Sequence, residues 1–398
     1  MVNETMWEEY TTSLQTCRMR MCRYCQNSNA DYKPVCPMKE RYGFSSYSSS
    51  GMVMVARALQ DGTLNWEPEI ADVVYTCTMC KACSIQCGNI YYLTNEYFNV
   101  PMLVVKLREE LLNRGKVPAS VRDYLKSIDL FGNPYQKPAV KRGQWAEGLG
   151  IPSYSGQEFL FYVGDVGSFD ERGIGVARAV TTLLIKSGVS MGVLGGKEIS
   201  DGNEVKALGE QGLFEMMAEK NITLFNKLGV KKIITLSPHG YNSIKNEYRK
   251  KGGDFDVFHY TQVLDRLIGN GKLVLPELKA KVTYHDPCYL GRHNNEYETP
   301  RRILKSIPGL VFIEMAQVKE GAFCCGGGGG NFFTNMLGSG VSSPSRIRVR
   351  QAFETGAEVL AVACPLCAKM LDDAVKDEGL DEKLKVKDIA EMVNDTLG

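Results

Sequence analysis

The second part of the chain alternates short apolar runs with longer amphipathic stretches. From Gln157 onwards, runs of strand length are followed by stretches of helix length that carry apolar residues on one face. Predicted strands lie at 159–163, 191–194, 232–236, 281–285, 311–314 and 359–363, and predicted helices at 175–187, 214–228, 300–307 and 345–355. This alternation is typical of an α/β fold with a largely parallel sheet.

The first part of the chain has a different pattern. Apolar residues recur at helical spacing at 53–59, 102–112 and 121–128, which predicts an α-helical domain. A stretch rich in Gly, Pro and basic residues, 131–156, predicts a linker. We expect three domains: a helical ferredoxin-like domain at 1–150 and α/β domains at 157–275 and 279–398.

The two α/β stretches are interpreted as copies of one unit. Three sites in the first copy match three in the second: Asp165 with Cys288, Ser200-Asp201-Gly202 with Cys324-Cys325-Gly326, and Ser237-Pro238-His239-Gly240 with Cys364-Pro365-Leu366-Cys367. The first two sites are separated by 35 residues in one copy and 36 in the other. An internal duplication explains this agreement, and coincidence between two ordinary α/β units is the alternative.

Composition limits the class of protein. The 398 residues are 44% hydrophobic and carry a net charge of +1, which supports a proper core and argues against a nucleic-acid partner. No apolar run approaches the roughly 18 residues of a membrane span, and no signal peptide is visible. We therefore expect a soluble, cytoplasmic protein, in which dense cysteine indicates metal or redox chemistry rather than disulfides.

Thirteen cysteines fall into three groups. They are Cys17, Cys22, Cys25 and Cys36; Cys77, Cys80, Cys83 and Cys87; and Cys288, Cys324, Cys325, Cys364 and Cys367. The spacing Cys-x2-Cys-x2-Cys-x3-Cys of the second group is typical of [4Fe–4S] clusters, whose fourth ligand often comes from the other motif. This predicts one cluster on Cys77, Cys80, Cys83 and Cys36, and one on Cys17, Cys22, Cys25 and Cys87. Zinc is the competing metal, mainly for the first group.

The third group offers five thiolates, one more than a cubane takes. Gly326 follows the adjacent pair Cys324–Cys325 and permits a turn, and the run Gly326–Gly330 lets the backbone approach something bulky. A Walker phosphate loop is excluded because no Lys-Ser/Thr follows. Buried apolar cysteines without a metal are the remaining alternative.

These motifs carry a family resemblance. The segments His285-Asp-Pro-Cys288, Phe323-Cys-Cys-Gly and Ala363-Cys-Pro-Leu-Cys367 resemble the CCG domain of heterodisulfide reductases. Nearly the whole chain is similar to the D-type polypeptide of heterodisulfide reductases and its relatives, which include iron–sulfur subunits beside electron-transfer flavoproteins and the CCG subunit of class II benzoyl-CoA reductase.

The resemblance implies a third iron–sulfur centre, cubane or non-cubane, on Cys288, Cys324, Cys325, Cys364 and Cys367, with Cys324 and Cys325 as candidate catalytic residues. In the first copy, Asp165, Ser200, Asp201, Ser237 and Gly240 stand where the family has cysteines, so that copy is expected to bind no cluster.

The predicted function is that of an iron–sulfur electron-transfer subunit in an anaerobic heterodisulfide reductase-like complex. Two cubanes would relay electrons to or from the CCG centre. Its partners would be other subunits, flavin- or ferredoxin-linked, with a membrane-bound or acyl-CoA reductase partner possible. Two alternatives stay open: a catalytic thiol–disulfide reductase acting at the CCG centre, and an assembly scaffold with structural clusters.

Several polar residues near the motifs carry weaker signals. His285 and His293 flank Cys288 and would either donate to cluster sulfur or make local hydrogen bonds, whereas His239 is assigned a structural role. Arg346, Arg348 and Arg350 follow the glycine run. They would dock an acidic partner or a CoA phosphate, or lie on a solvated face.

Overall fold

The computed structural model describes residues 33–87 and 98–397, together with residues 10, 14, 17 and 24–27. Within these described residues, six α-helices precede the first strand: α1 (Pro37–Tyr42), α2 (Ser49–Gln60), α3 (Pro68–Val74), α4 (Ala82–Gln86), α5 (Val100–Asn113) and α6 (Ala119–Phe131). Short 3-10 helices lie at Tyr24–Gln26 and Ser45–Tyr47. The three helices predicted in this region are confirmed as α2, α5 and α6.

Local signals explain where these helices begin and end. Pro37 opens α1 directly after Cys36, and Gly43 ends it in the left-handed region at φ 75°. Ser48 caps α2, since its side chain accepts a hydrogen bond from the Gly51 amide at 3.1 Å. The side chain of Asn99 caps α5 in the same way. The cysteines Cys36 and Cys77 are thus placed next to helix ends.

The predicted linker is wrong. Residues Ala139–Ala146 form a 3-10 helix with Arg142 and Trp145 buried. Arg142 donates to the carboxylates of Asp165 at 2.5 Å and Glu198 at 3.2 Å. A pair of buried acids requires a buried cation, so this segment packs onto the α/β part as an integral element.

The first α/β unit contains four parallel strands. They are β1 (Phe159–Tyr162), β2 (Met191–Gly192), β3 (Lys232–Thr235) and β4 (Asp256–His259), in the order β2-β1-β3-β4. Its helices are α7 (Gly164–Phe169), α8 (Glu171–Lys186), α9 (Asn203–Ala207), α10 (Gln211–Lys227), α11 (Pro238–Asn242) and α12 (Tyr260–Gly269), with 3-10 helices at Gly195–Lys197 and Arg249–Lys251. The π-helix Ser243–Tyr248 continues α11.

The second α/β unit repeats this arrangement. Its strands are β5 (Lys281–Tyr284), β6 (Val311–Phe312), β7 (Val359–Val362) and β8 (Lys385–Asp388), in the order β6-β5-β7-β8. Its helices are α13 (Glu298–Ser306), α14 (Asn331–Thr334), α15 (Pro344–Phe353), α16 (Pro365–Asp377) and α17 (Ile389–Thr396), with a 3-10 helix at Lys319–Gly321. The α/β class is confirmed. The equal strand orders agree with a duplication, while the three domain boundaries stay a prediction.

Strand order fixes where each unit can hold a ligand. In a sheet of order 2-1-3-4, the chain crosses to opposite sides after the first and third strands, which leaves a crevice at their carboxyl ends. Asp165 and Ser237 follow β1 and β3, and Cys288 and Cys364 follow β5 and β7. Both sets of matched residues therefore lie at the crevice of their own sheet.

The two units are joined by polar contacts. Arg172 of α8 forms an ion pair with Glu391 of α17, and the Tyr260 hydroxyl donates to Asp388 at 2.7 Å. None of the helices in the described part of the chain combines the length and apolar character that a membrane span requires.

Candidate metal centre

Four cysteines from the first two groups converge in the N-terminal region. Cys36 precedes α1, Cys77 and Cys80 lie in the loop before α4, and Cys83 lies within α4. Met79 and Lys81 have positive φ values of 55° and 64°, which turn this loop sharply. Together the four cysteines line a cavity of about 350 Å³. The structure thus assembles the residues predicted for one cluster, and their ligand role stays a prediction.

Burial makes these thiols poor acids without a cation. It raises the pKa of Cys77 to about 11, although nearby Arg108 opposes the shift. It also raises the pKa of Cys83, and the neighbouring thiols Cys80, Cys77, Cys25 and Cys36 add to the rise. Buried thiolates need a compensating positive charge, and metal binding supplies it by displacing their protons.

The other predicted set is described only in part. Cys22 lies outside the described residues. Cys17 and Cys25 are half-buried, and Cys87 is buried at the end of α4. Cys25 lies close enough to Cys83 to affect its pKa. The cluster predicted on Cys17, Cys22, Cys25 and Cys87 therefore stays a prediction.

The third group converges at the crevice of the second sheet. All five of its cysteines are buried, and Cys324 and Cys325 expose 1% and 3% of their surface. The sulfur atoms of Cys325 and Cys367 are 3.3 Å apart, and the Gly326 amide donates to the Cys324 sulfur at 3.3 Å. Cys324 also lies beside Cys288, and Cys364 beside Cys367, close enough to shift one another's pKa. Two thiol subsets thus meet at the Cys324–Cys325 pair.

The glycine run packs against the loop of the second cysteine group. A Cβ atom on Gly329 would lie 2.3 Å from the Cys77 carbonyl oxygen, and one on Gly328 would lie 2.5 Å from that of Thr78. Gly329 also has a φ of 65°, which suits glycine. The bulky neighbour expected from the sequence is therefore backbone of the chain itself.

The second and third cysteine groups consequently touch. The thiols of Cys80, Cys324 and Cys288 lie next to one another, close enough to shift one another's pKa. These three residues form a small buried cluster with Val35, Ala82 and Tyr289. Sequence spacing carries no information on this contact, because 244 residues separate Cys80 from Cys324.

Arg108 forms hydrogen bonds on both sides of the contact between the second and third cysteine groups. This buried side chain of α5 donates to the carbonyl oxygens of Cys77 at 2.7 Å, Ala207 at 2.7 Å and Gly329 at 3.0 Å. It also bonds the carbonyls of Val74 and Tyr75. One guanidinium therefore links the N-terminal region, the first α/β unit and the glycine run.

Three buried nitrogen atoms beside the third group have no hydrogen-bond partner within the described part of the chain: His285 Nε2, Arg292 Nη2 and Arg348 Nη2. An orphaned buried N–H is costly, so it indicates an acceptor that the polypeptide does not supply. His285, Cys325 and Cys367 place their ligand atoms within 4.8 Å of one another. Thiolates surrounded by unsatisfied donors fit a sulfide-containing cluster.

His285 is arranged as a donor in this site. Its Nδ1 accepts a hydrogen bond from Arg348 Nε at 3.2 Å. A neutral imidazole then carries its hydrogen on Nε2, and burial holds the pKa of His285 well below its usual value. His293 instead donates through Nε2 to the Met79 carbonyl at 2.8 Å. His293 thus makes a local hydrogen bond, whereas donation from His285 to cluster sulfur stays a prediction.

Comparisons with known proteins agree with this geometry. The cysteine-rich domain family CCG matches residues 282–372. One polypeptide of the dihydromethanophenazine:CoB–CoM heterodisulfide reductase of Methanosarcina mazei is 30% identical over 339 residues, covering 83% of this chain and 79% of that protein. The chain belongs to the family of CCG-domain iron–sulfur oxidoreductases.

Two bacterial members of the CCG family are also similar. A probable iron-sulfur-binding oxidoreductase, FadF, of Bacillus subtilis is 37% identical over 352 residues, covering 83% of this chain and 48% of that protein. The EtfAB:quinone oxidoreductase of Syntrophomonas wolfei is 35% identical over 337 residues, covering 81% of this chain and 46% of that protein. The chain spans about half the length of these two relatives.

The first α/β unit gathers polar residues where the second has thiols. Asp165, Ser200, Asp201 and Ser237 line one cavity of about 400 Å³. A Cβ on Gly240 would lie 3.2 Å from Asp201 Oδ2. Burial raises the pKa of Asp201 to about 7. The expected replacements are therefore brought together as one site without a thiol.

His239, assigned a structural role, lies beside the Cys364 thiol, and its role stays a prediction. One arginine differs from its sequence interpretation. Arg348, placed on a docking or solvated face, is fully buried beside His285. Only Arg346 and Arg350 are partly exposed, and both bond to Glu378. Helical periodicity could have indicated that Arg348 faces inward.

Proposed function

We propose that this chain is an iron–sulfur electron-transfer subunit of a multi-subunit redox complex. The observation that carries the proposal is the contact between Cys80 of the second cysteine group and Cys324 of the third. Cofactors bound by these groups would be separated by little more than the ligand side chains themselves. Such an arrangement suits a relay of single electrons.

We infer three sites. Cys36, Cys77, Cys80 and Cys83 would hold one [4Fe–4S] cluster, Cys17, Cys22, Cys25 and Cys87 a second, and Cys288, Cys324, Cys325, Cys364 and Cys367 a third iron–sulfur centre, cubane or non-cubane. Bound clusters of this kind accept and release single electrons at a potential set by their surroundings.

The polypeptide contributes exclusion of water and compensation of charge. The third group is almost wholly buried, so water has no direct access to its sulfur atoms. Arg292 bonds to the carbonyls of Cys80 and Ala322 at 2.7 Å and lies beside the thiols of Cys80, Cys288 and Cys324. A fixed cation in a buried site stabilises thiolates and any negative charge gained on reduction.

Burial favours the proposed relay over a thiol–disulfide reductase. A reductase needs a substrate cleft at Cys324–Cys325, but these residues expose only 1% and 3% of their surface. The relay needs no such opening. A structural scaffold would not require the contact between Cys80 and Cys324, and reversible reduction of the clusters would exclude it.

The partners are proposed from the named relatives. The EtfAB:quinone oxidoreductase and the heterodisulfide reductase polypeptide belong to redox systems of more than one component. We propose a flavin- or ferredoxin-linked partner at one end of the relay, with a membrane-bound or acyl-CoA reductase partner at the other. The cytoplasmic location and the domains 1–150, 157–275 and 279–398 remain part of this proposal.

The test is the content of iron and acid-labile sulfide in anaerobically purified protein, with EPR spectra of the oxidised and reduced states. We expect about eight iron atoms from two cubanes and a further, spectroscopically distinct centre. Zinc without labile sulfide, or eight iron atoms with no further species, would contradict the three-site relay.

Variants assign each signal to its cysteines. The double change Cys324→Ser and Cys325→Ser is expected to remove the further species and leave the cubane signals. Cys83→Ser serves as the reciprocal control, because it alters only a cubane set. Loss of both cubane signals in the double variant would show that the assignment of cysteines to sites is incorrect.

A further inference from the structure

A histidine of the first copy reaches the third cysteine group of the second. His239 lies in α11, directly after β3, and its side chain is buried. Its ring lies against the ring of Tyr289, with centroids 4.1 Å apart, and His293 stacks with Tyr289 at 4.2 Å. Because Tyr289 follows Cys288, the aromatic stack fixes His239 beside the cysteines.

Polar contacts fix the orientation of the His239 ring. Its Nδ1 lies 2.5 Å from Glu204 Oε1, and its side chain lies beside the Cys364 thiol, close enough to affect the pKa of that thiol. The other oxygen of Glu204 accepts from the Gly330 amide at 2.5 Å. Glu204 thus connects His239 to the glycine run, and the ring bridges a carboxylate and a sulfur atom.

Both neighbours of the ring are acceptors when Cys364 is a thiolate. A carboxylate only accepts, so Nδ1 carries a hydrogen toward Glu204. A metal-bound thiolate also lacks its proton, so the remaining nitrogen donates to Cys364. Hydrogen bonds to ligating sulfur are among the features that set the potential of an iron–sulfur centre.

The matched segments face one another across the two copies. His239 occupies the position in Ser237-Pro238-His239-Gly240 that Leu366 occupies in Cys364-Pro365-Leu366-Cys367. Leu366 lines the cavity of the first copy, whereas His239 contacts a cysteine of the second. The copy that lacks thiols therefore supplies a donor to the copy that has them.

We propose that His239 donates a hydrogen bond to the Cys364 sulfur and so raises the reduction potential of the third iron–sulfur centre, with Glu204 as the positioning residue. The proposal rests on the proposed function. It gives the first copy a role beyond packing, since donation to sulfur withdraws electron density from the bound centre and favours its reduction.

The test is an EPR-monitored redox titration of the anaerobic full chain and its variants. His239→Phe keeps a ring against Tyr289 but removes the donor, and His239→Gln restores an amide donor. Tyr124→Phe is the matched control, because Tyr124 is a buried aromatic residue that lines the same first-copy cavity as His239. The cubane signals serve as an internal reference in every sample.

We expect a more negative midpoint potential for the third centre in His239→Phe, an intermediate value in His239→Gln, and wild-type values in Tyr124→Phe and for the cubanes. An unchanged potential in His239→Phe overturns the proposal, and so does an equal shift in Tyr124→Phe. If His239→Phe does not assemble the centre, Glu204→Gln replaces it as the test. This variant keeps the His239 ring but removes the carboxylate that orients it, so we expect a more negative midpoint potential for the third centre. An unchanged potential overturns the proposal.

Failure of the inference is distinguishable from failure of the proposed function. Wild-type protein that contains no third centre contradicts the proposed function before any variant is compared. If the wild type contains a third centre and its potential is unchanged in the His239 and Glu204 variants, only the role of the histidine is contradicted.

Discussion

Arg292 places a positive charge at the junction of two cysteine groups. Burial alone would lower the pKa of its guanidinium, but the thiols of Cys80, Cys288 and Cys324 raise it above the usual value. Its Nη2 has no partner among the described residues. At the scale of single residues, this side chain is the main cationic contribution to the site.

Arg292→Leu should lower the reduction potential of the third centre and its iron content, because the thiolates lose their compensating charge. Breaking a buried charge contact costs roughly 3–5 kcal/mol, so the melting temperature should also fall. Iron analysis, EPR-monitored titration and thermal unfolding under anaerobic conditions measure these effects.

Arg302→Leu is the control for this change. Arg302 is 56% exposed and pairs with Asp265 on the surface, and such a pair contributes about 0–1 kcal/mol. Wild-type iron content and potential in Arg292→Leu would show that the guanidinium acts only through its bonds to the backbone.

The glycine run is the element that joins the two cysteine groups. Its residues carry no side chain where the loop of Cys77 and Thr78 approaches, so the two backbones pack directly. An element built on backbone contact tolerates no added Cβ at its closest points.

Gly329→Ala should destabilise the protein strongly. The left-handed φ of 65° costs a non-glycine residue about 1–2 kcal/mol, and overpacking against the Cys77 carbonyl adds about 1–3 kcal/mol. Thermal unfolding and the EPR signals of the clusters on either side of the run measure the effect.

Gly338→Ala separates strain from overpacking. Gly338 has a similar φ of 64°, but its added Cβ would lie 3.7 Å from the nearest atom, a side-chain nitrogen of Arg41. Gly338→Ala should therefore lose only the stability that the left-handed backbone conformation costs, about 1–2 kcal/mol. Equal losses in the two variants would mean that the backbone contact at Cys77 contributes nothing.

At the scale of the whole molecule, the two α/β units meet at Asp388. Its Oδ1 accepts from the Tyr260 hydroxyl at 2.7 Å and from the Ala390 amide at 2.9 Å, and its Oδ2 has no partner within the described ranges. Burial raises its pKa to about 8, with nearby Glu391 adding to the rise and Arg172 opposing it.

The raised pKa predicts a pH dependence of stability. Between about pH 4 and pH 8 the folded protein keeps a proton on Asp388 that the unfolded chain releases. The contribution of Asp388 to the free energy of unfolding therefore falls as pH rises. Asp388→Asn mimics the protonated form. The melting temperature of this variant, relative to that of the wild type, should rise from pH 5 to pH 8.

For the wild type, we expect Asp388 to lower the free energy of unfolding by up to about 1.4 kcal/mol for each pH unit of increase. Asp395→Asn is the control. Asp395 lies in α17, which Asp388 caps, and pairs with Lys387 on the surface, so this variant should follow the wild-type profile. Parallel profiles of the wild type and Asp388→Asn would show that Asp388 is ionised in the folded protein throughout this range.

Sequence patterns predicted the interior strands and the edge strands β2 and β6, but missed the edge strands β4 and β8. Phe159–Tyr162 and Val359–Val362 are almost wholly apolar because they are buried between neighbours. Asp256–His259 and Lys385–Asp388 each pair on one side only and alternate polar with buried residues, so no apolar run marks them.

The identity and spacing of the cysteines were enough to predict which residues form each candidate site. The convergence of Cys36 with Cys77, Cys80 and Cys83 follows from a known motif. The contact of Cys80 with Cys324 and the donors Arg292 and His239 depend on tertiary packing between distant segments. Local patterns carry no distances of this kind, so the sequence could not reveal them.

The bonds of Arg108 have a consequence for biosynthesis. The chain is made from its N-terminus, and the guanidinium needs carbonyls of Ala207 and Gly329 as well as those of residues 74–77. While the nascent chain is short, these acceptors do not yet exist, so Arg108 cannot be buried with its donors satisfied. We therefore expect the pocket around Cys77 to reach its final form only after residue 329 has been synthesised, which makes cofactor loading a late step in the biosynthesis of the chain.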